Sequence, residues 1–157
     1  MGITIWIDAD SCPTAVRNHT VKIAAKNNIK VYFVANKNIP CDEQPFEMII
    51  CNSQKDAADD YILEHATTLD LVITRDIVFA DRLVQKEITA INDRGTAFTI
   101  DNIKDLLSDR DFDLALFQAG VVKHTRDGYN KKDFEKFSNC FDRTLNKLIR
   151  RLEWQQQ

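Results

Sequence analysis

The sequence predicts an α/β fold: a central, mostly parallel sheet of about five strands, helices on both faces and a long C-terminal helix. Three observations predict it. Short runs rich in Ile, Val and Phe, the composition of strands buried on both faces, recur from Ile3 to Asn92. Helical patterns fall between most of them, as in βαβ units. Beyond Arg94-Gly95 the pattern becomes helical and ends in one long amphipathic stripe.

The first strand is expected over Ile3 to Ile7. Pro13 suits a first helical position, and Val16, Val21, Ile23 and Ala24 supply the buried side of a helix ending near Asn27-Asn28. A second strand follows over Lys30 to Ala35, then an irregular connection from Asn36 to Pro45, then a third strand over Phe46 to Cys51. Asp56 and Asp59 have the spacing of an acidic helix cap, and Ala58, Ile62 and Ala66 fall at i, i+4 and i+8 of a helix running to about Thr67. Leu71 to Thr74 is the fourth strand, Ile77 to Lys86 the next helix and Thr89 to Asn92 the fifth strand. Helical segments are expected at Ile103 to Leu107 and Leu114 to Ala119. The last helix starts at Asn130, where Asp133 has cap spacing, and Phe134, Phe137, Phe141, Leu145, Leu148 and Leu152 form its apolar stripe.

A chain of 157 residues with 44% apolar content supports one domain with a real core, residues 101–157 forming its helical C-terminal part. No run has the pattern of a signal peptide or the roughly 20 apolar residues of a membrane span, so a cytoplasmic protein is expected. Cys12, Cys41, Cys51 and Cys140 form no C-x-x-C pair, so reduced thiols are expected. The net charge of −3 is unevenly spread: residues 121–151 hold nine Lys/Arg against four acids, which leaves −8 for the rest. A basic segment beside an acidic body fits contact with phosphates, and it equally fits a solvated helix face.

The acidic strings carry the chemistry. Asp8-Ala-Asp10 follows the first strand directly, and Asp76 follows the fourth. Ligands of open parallel sheets bind at the carboxyl ends of strands, and carboxylates gathered there repel one another unless they share a metal or a proton. Magnesium takes oxygen ligands from one or two carboxylates and keeps waters that a phosphate can replace. Asp10 has a competing structural role in the turn into the Pro13 helix, and Asp76 in capping the helix after it. Asp56, Asp59 and Asp60 crowd three charges into one helical turn, more than a cap needs; either Asp59 or Asp60 is expected to face a metal. Thr74 can hold a carboxylate or a water through its hydroxyl. Asn36 can bond substrate, and Ser11 with Arg17 can hold phosphate at a helix start. His19, His65 and His124 show no metal spacing.

Ile5-Trp6-Ile7-Asp8-Ala9-Asp10-Ser11-Cys12-Pro13, Val34-Ala35-Asn36, Asp56-Ala57-Ala58-Asp59-Asp60-Tyr61-Ile62 and Asp70-Leu71-Val72-Ile73-Thr74-Arg75-Asp76-Ile77 together resemble the bacterial YaiI/YqxD family. Asn92-Asp93-Arg94-Gly95 and Phe141-Asp142-Arg143 extend the likeness over nearly the whole chain. That family is similar to the PIN-like nucleases, which cut RNA or DNA with acid-bound magnesium or manganese. The resemblance implies a PIN-like three-layer sandwich, with Asp8, an acid at Asp59 or Asp60, and Asp76 as metal ligands. Asp10 would complete the shell or orient a water, while Lys37, Arg75 and the basic C-terminal segment would meet the backbone of RNA or another single strand. Gln54 and Leu69 stand where the family often has glycine, and His124 to Gly128 where it has a T-G-G-P-like turn, so loop shapes depart from the pattern there. Two other classes compete. A haloacid-dehalogenase-type phosphatase also begins with D-x-D after a first strand, but Cys12 occupies the place of its threonine. A non-catalytic nucleic-acid or protein-binding module would keep the acidic pocket as a structural ion site.

Overall fold

A computed structural model describes residues 2–121 and 128–156; the His124 turn lies outside the described residues. The elements run β1 (Thr4–Asp8), a single 3-10 turn (Ala9–Ser11), α1 (Thr14–Lys26), β2 (Lys30–Ala35), β3 (Glu47–Ile50), α2 (Ala57–His65), β4 (Leu71–Ile73), α3 (Ile77–Gln85), β5 (Thr89–Ile91), β6 (Ala97–Phe98), α4 (Ile100–Gln118) and α5 (Lys131–Gln155). One six-stranded sheet has the order β3-β2-β1-β4-β5-β6. Every pairing is parallel except β5 with β6, which closes the edge antiparallel.

The period-2 alternation of the strands sorts their side chains into two cores. Ile5, Ile7, Phe33 and Ile73 face α1 and α5, where Val16, Val21, Phe137, Phe141, Leu145 and Leu148 complete one buried cluster. Trp6, Val34, Val72 and Ala90 face the other way, against Ile62 of α2, Phe79 and Leu83 of α3, and Ile103 of α4. The result is three layers, with β1 and β4 covered on both faces at the centre. Asp70, just ahead of β4, is 3% exposed and accepts the Thr4 N–H (2.9 Å), the Trp6 indole N–H (3.1 Å) and the Thr67 N–H (2.9 Å). It fastens the starts of the two central strands to each other.

The sequence pattern differs from the structure in four places. A sixth strand exists: β6 has two residues and one buried side chain, Phe98, too little for a periodic signal. The two helical segments after residue 100 are one helix, α4, because the charged stretch Ser108 to Asp113 is helical without being buried. Pro13 precedes the first helical residue of α1 rather than occupying it. Asp56 makes no cap bond; its backbone is left-handed at φ 64, which turns its side chain away from the α2 amides. By contrast, Asn130 and Asp133 form a full capping box at the start of α5, with bonds of 3.0 and 3.2 Å.

Gly95, in the β5–β6 turn, shows how tightly α5 is seated. Its φ is +88, and a Cβ added there would stand 2.6 Å from the Lys136 carbonyl oxygen, a backbone atom that cannot swing aside. Gly95→Ala is expected to lower the free energy of unfolding in urea by about 2–4 kcal/mol, the range for combined backbone strain and overpacking.

Candidate metal centre

The site grows out of the strand order. After β1 the chain builds outward through α1, β2 and β3, then returns through α2 to place β4 on the other flank of β1. The helices following β1 and β4 lie on opposite faces, so a crevice opens between the carboxyl ends of these two strands. Asp8 ends β1, Asp76 follows β4, and the first turn of α2 sits over the gap.

Asp56, Asp59 and Asp76 each point one carboxylate oxygen inward, and these three oxygens lie within 4.8 Å of one another. Asp8 and Asp10 line a cavity of about 220 Å³ together with Asp56 and Asp59, joined by Asn36, Asn52 and Lys55. The Thr74 hydroxyl links the two strand ends: it donates to Asp8 Oδ2 (3.0 Å) and accepts the Asp76 N–H (3.1 Å). Asp76 also caps α3, its Oδ1 accepting the N–H groups of Val78 (3.0 Å) and Phe79 (3.2 Å). Asp10 is exposed in the 3-10 turn and accepts the Asn36 N–H through both oxygens (3.3 and 3.2 Å), which anchors the turn to the end of β2.

Charge is concentrated here at a cost. Burial pushes the Asp8 carboxyl from 3.8 up to about 6; the Thr74 hydrogen bond opposes this, and Asp10 and Asp76 reinforce it. Burial likewise raises Asp59 from 3.8 to about 7, with repulsion from Asp8, Asp76 and Asp56 added. Arg75 and Arg82 temper these shifts only from the rim, since their guanidinium groups are engaged by Asp93 and Asp60. A set of donors made entirely of carboxylate oxygens, crowded and short of balancing cations, matches the coordination chemistry of a hard divalent ion such as magnesium or manganese.

The other residues singled out in the sequence fall into three groups. Thr74 and Asn36 lie at the crevice, in contact with Asp8 and Asp10 respectively. Ser11 and Arg75 line a small adjacent cavity with Cys12 and Asp93, where Arg75 is tied to the buried Asp93. Arg17 is turned back on its own helix start, donating to the Cys12 carbonyl and to Thr14 Oγ1 (3.1 Å), and Lys37 is exposed beyond the lining of the crevice. Between Asp59 and Asp60 the structure separates two neighbours in sequence. Asp59 is 8% exposed and faces the cluster; Asp60 is exposed and paired with Arg82 at 3.2 Å.

Asn52, Lys55 and the place of Asp56 in the crevice escaped the sequence reading. Asp56 has the spacing of a cap, and Asn52 and Lys55 carry no motif of their own; the polar run Asn52 to Asp56 directly after β3 was the available signal. The basic segment also divides. Tyr129 donates to the Asp93 carbonyl (2.7 Å) and Arg94 approaches Asp133 (3.6 Å), so α5 begins beside the site. It ends at the far side of the sheet, where Arg151 donates to the Thr68 carbonyl (2.6 Å) ahead of β4. Lys147 and Arg151 are therefore remote from the carboxylates. Burial pushes the Cys12 thiol well above its ordinary range, which leaves it protonated and unsuited to nucleophilic attack. Among the described residues no helix is long and apolar enough to cross a membrane, and all four cysteines are free thiols.

Fold and site together define an α/β protein with a mostly parallel sheet and an acidic crevice at its crossover point. The chain belongs to the family described as "Uncharacterized BCR, YaiI/YqxD family", whose model matches residues 6–147. It is 42% identical to a UPF0178 protein of Treponema denticola over 93% of this chain and 94% of that one. A UPF0178 protein of Treponema pallidum is 39% identical over 94% of this chain and 84% of its own, and one of Ectopseudomonas mendocina 38% over 93% and 99%. No solved structure matches the chain.

Proposed function

We propose that this chain is a divalent-metal-dependent hydrolase of phosphodiester bonds in RNA or single-stranded DNA, PIN-like in class. One observation carries the reading: carboxylates from three separate segments, Asp56 and Asp59, Asp76, and Asp8, converge on one crevice at the crossover of a parallel sheet. Asp59 and Asp76 would hold magnesium or manganese with Asp8 and Asp56 beside them. The bound ion would supply a nucleophilic water and neutralise charge on the phosphate. Thr74 fixes the Asp8 carboxylate so that its free oxygen keeps one direction. Asp10, exposed at the rim, is placed to accept a hydrogen bond from water entering the crevice. Lys55, with the amides of Asn36 and Asn52, offers a phosphate or sugar its donors at the open side.

Asp76→Asn is the informative variant, because asparagine caps a helix about as well as aspartate and the fold keeps its α3 cap while the charge is lost. With manganese and mixed RNA and DNA oligonucleotides, wild type is expected to yield cleavage products and Asp76→Asn none. Equal cleavage by both overturns the reading. Metal binding by calorimetry without any cleavage also overturns it, in favour of a structural ion site.

A further inference from the structure

Asp93 is a buried carboxylate beside the crevice to which the proposed chemistry gives no task. It is 3% exposed, stands just past β5, and has its main chain fixed from two sides. Asn92 organises the turn after it, accepting the Arg94 N–H (2.9 Å) and the Thr96 N–H (2.8 Å), and the Tyr129 hydroxyl, just ahead of α5, donates to the Asp93 carbonyl (2.7 Å). The Thr74 N–H bonds to the Ile91 carbonyl (3.0 Å), which carries the β4–β5 pairing one residue past β4 and brings Arg75 alongside Asp93. There the Arg75 guanidinium donates to Asp93 Oδ2. The pair is asymmetric: the Asp93 side chain is 5% exposed and that of Arg75 42%. Among the described residues this is the one side-chain hydrogen bond of Arg75, made by one terminal nitrogen. A guanidinium carries five N–H donors, so most of the fork is left for an outside partner. Arg75 and Asp93 border one small hollow with Asp8, Ser11 and Thr74, which sets the guanidinium at the edge of the carboxylate crevice.

We propose that Asp93 is a positioning residue: it holds the Arg75 guanidinium at the crevice edge, where the free N–H groups receive a phosphate of the substrate strand. Resting on the hydrolase reading, this adds to it the group that seats the phosphate beside Asp8. A crevice lined by carboxylates repels a phosphate, so cations are needed around it as well as in it. Lys55 brings one on the α2 side, and Arg75 brings one on the β4–β5 side. A planar guanidinium suits phosphate, which it can grip through two parallel N–H groups while another edge stays on a carboxylate. Balancing the charge of Asp93 occupies one nitrogen; the exposed remainder is what a phosphate seat requires. Holding the side chain in advance removes the rotamer entropy that gripping the strand would otherwise cost. Asp93 suits the anchoring task because its own backbone is tied to the turn and to Tyr129.

Binding is read apart from turnover with fluorescein-labelled single strands of RNA and DNA in calcium, which takes oxygen ligands as manganese does, and cleavage is read separately in manganese. Arg75→Ala is expected to weaken binding about 10–100-fold, the worth of a charge-assisted hydrogen bond, and Asp93→Asn at least about 5-fold. In a chain already carrying Arg75→Ala, Asp93→Asn should add less than about 2-fold, since its effect passes through Arg75. Equal losses with and without Arg75 overturn the inference. So does a fall of about 100-fold in manganese affinity of Asp93→Asn, which would make Asp93 a metal ligand. Relaxation of the Arg75 Nε–H group in free wild type needs no variant to fold: an ordered guanidinium is expected, and one moving freely on the ps–ns scale overturns the inference. Cleavage by wild type, with Asp93→Asn binding as tightly as wild type, overturns the role of Asp93 and leaves the hydrolase reading standing. Binding that depends on both residues, without any cleavage, overturns the hydrolase reading and keeps the phosphate seat. A wild type that neither binds nor cleaves a strand overturns both.

Discussion

Metal-free protein carrying Asp59→Asn is expected to melt at a higher temperature than wild type at pH 8, although the substitution removes a residue of the candidate metal centre. The sign follows from the proton balance. Asp59 and Asp8 are raised from 3.8 to about 7 and about 6, so the folded state holds their protons more tightly than the unfolded chain does. Their contribution to stability is fully present below pH 3.8 and is lost as pH rises through 6 and 7. Wild type without metal should therefore lose stability between pH 4 and pH 8, by about 2–4 kcal/mol. Asp59→Asn cannot ionise and relieves Asp8 as well, so it should recover about 1–3 kcal/mol at pH 8 and little or nothing at pH 5. Manganese should reverse the ranking. It stabilises whatever folded protein binds it, by about 2.7 kcal/mol at a hundredfold excess over the dissociation constant. Affinity in the variant should fall at least about 100-fold, since even groups supporting a ligand are worth 10–100-fold. Thermal melts at pH 5 and pH 8, each with and without manganese, check both halves. A variant less stable than wild type at pH 8 without metal would show that Asp59 has a stabilising partner in the fold.

The opposing demands on Asp59 explain which parts of the site were legible in the sequence. Asp8 and Asp76 stood out because each stands at the carboxyl end of a buried strand, Asp8 as the last residue of β1 and Asp76 shortly after β4, and parallel sheets place strand ends together whatever the intervening chain does. The choice between Asp59 and Asp60 was not legible. Adjacent helical positions differ by about 100° of rotation, and only the docking of α2 on the sheet through Ile62 decides which one faces the crevice. Asp56 was misread for a related reason: cap spacing is a local pattern, and it is silent on the left-handed backbone that turned this side chain toward Asp76. Strand β6 was invisible because two residues carry no period, and its pairing depends on the turn that Asn92 organises by accepting the N–H groups of Arg94 (2.9 Å) and Thr96 (2.8 Å). Docking on the sheet decides the first, and backbone conformation that residue spacing does not record decides the other two.

Asp70→Ala is expected to cause a large loss of stability, about 3–5 kcal/mol in urea unfolding, without touching the carboxylate cluster. Asp70 lies at the amino ends of β1 and β4, whereas Asp8, Thr74 and Asp76 lie at their carboxyl ends. Its two oxygens satisfy three donors, and truncation would strand the indole N–H of Trp6, itself only 6% exposed, together with the main-chain N–H groups of Thr4 and Thr67. Each buried donor left without an acceptor costs about 1–3 kcal/mol, and a charged acceptor raises the figure. Water reaching the more open Thr4 and Thr67 would soften the loss below the simple sum. Asp70→Asn should fall between wild type and alanine, because one amide oxygen still accepts while its NH2 group faces a donor. Metal affinity is the second readout. The carboxyl ends remain joined by the Thr74 hydroxyl between Asp8 and Asp76, so folded Asp70→Ala should bind manganese within a fewfold of wild type. An equally large drop in affinity would mean that the crevice depends on the register set at the opposite end of the two strands, and that Asp70 positions the site as well as holding the sheet.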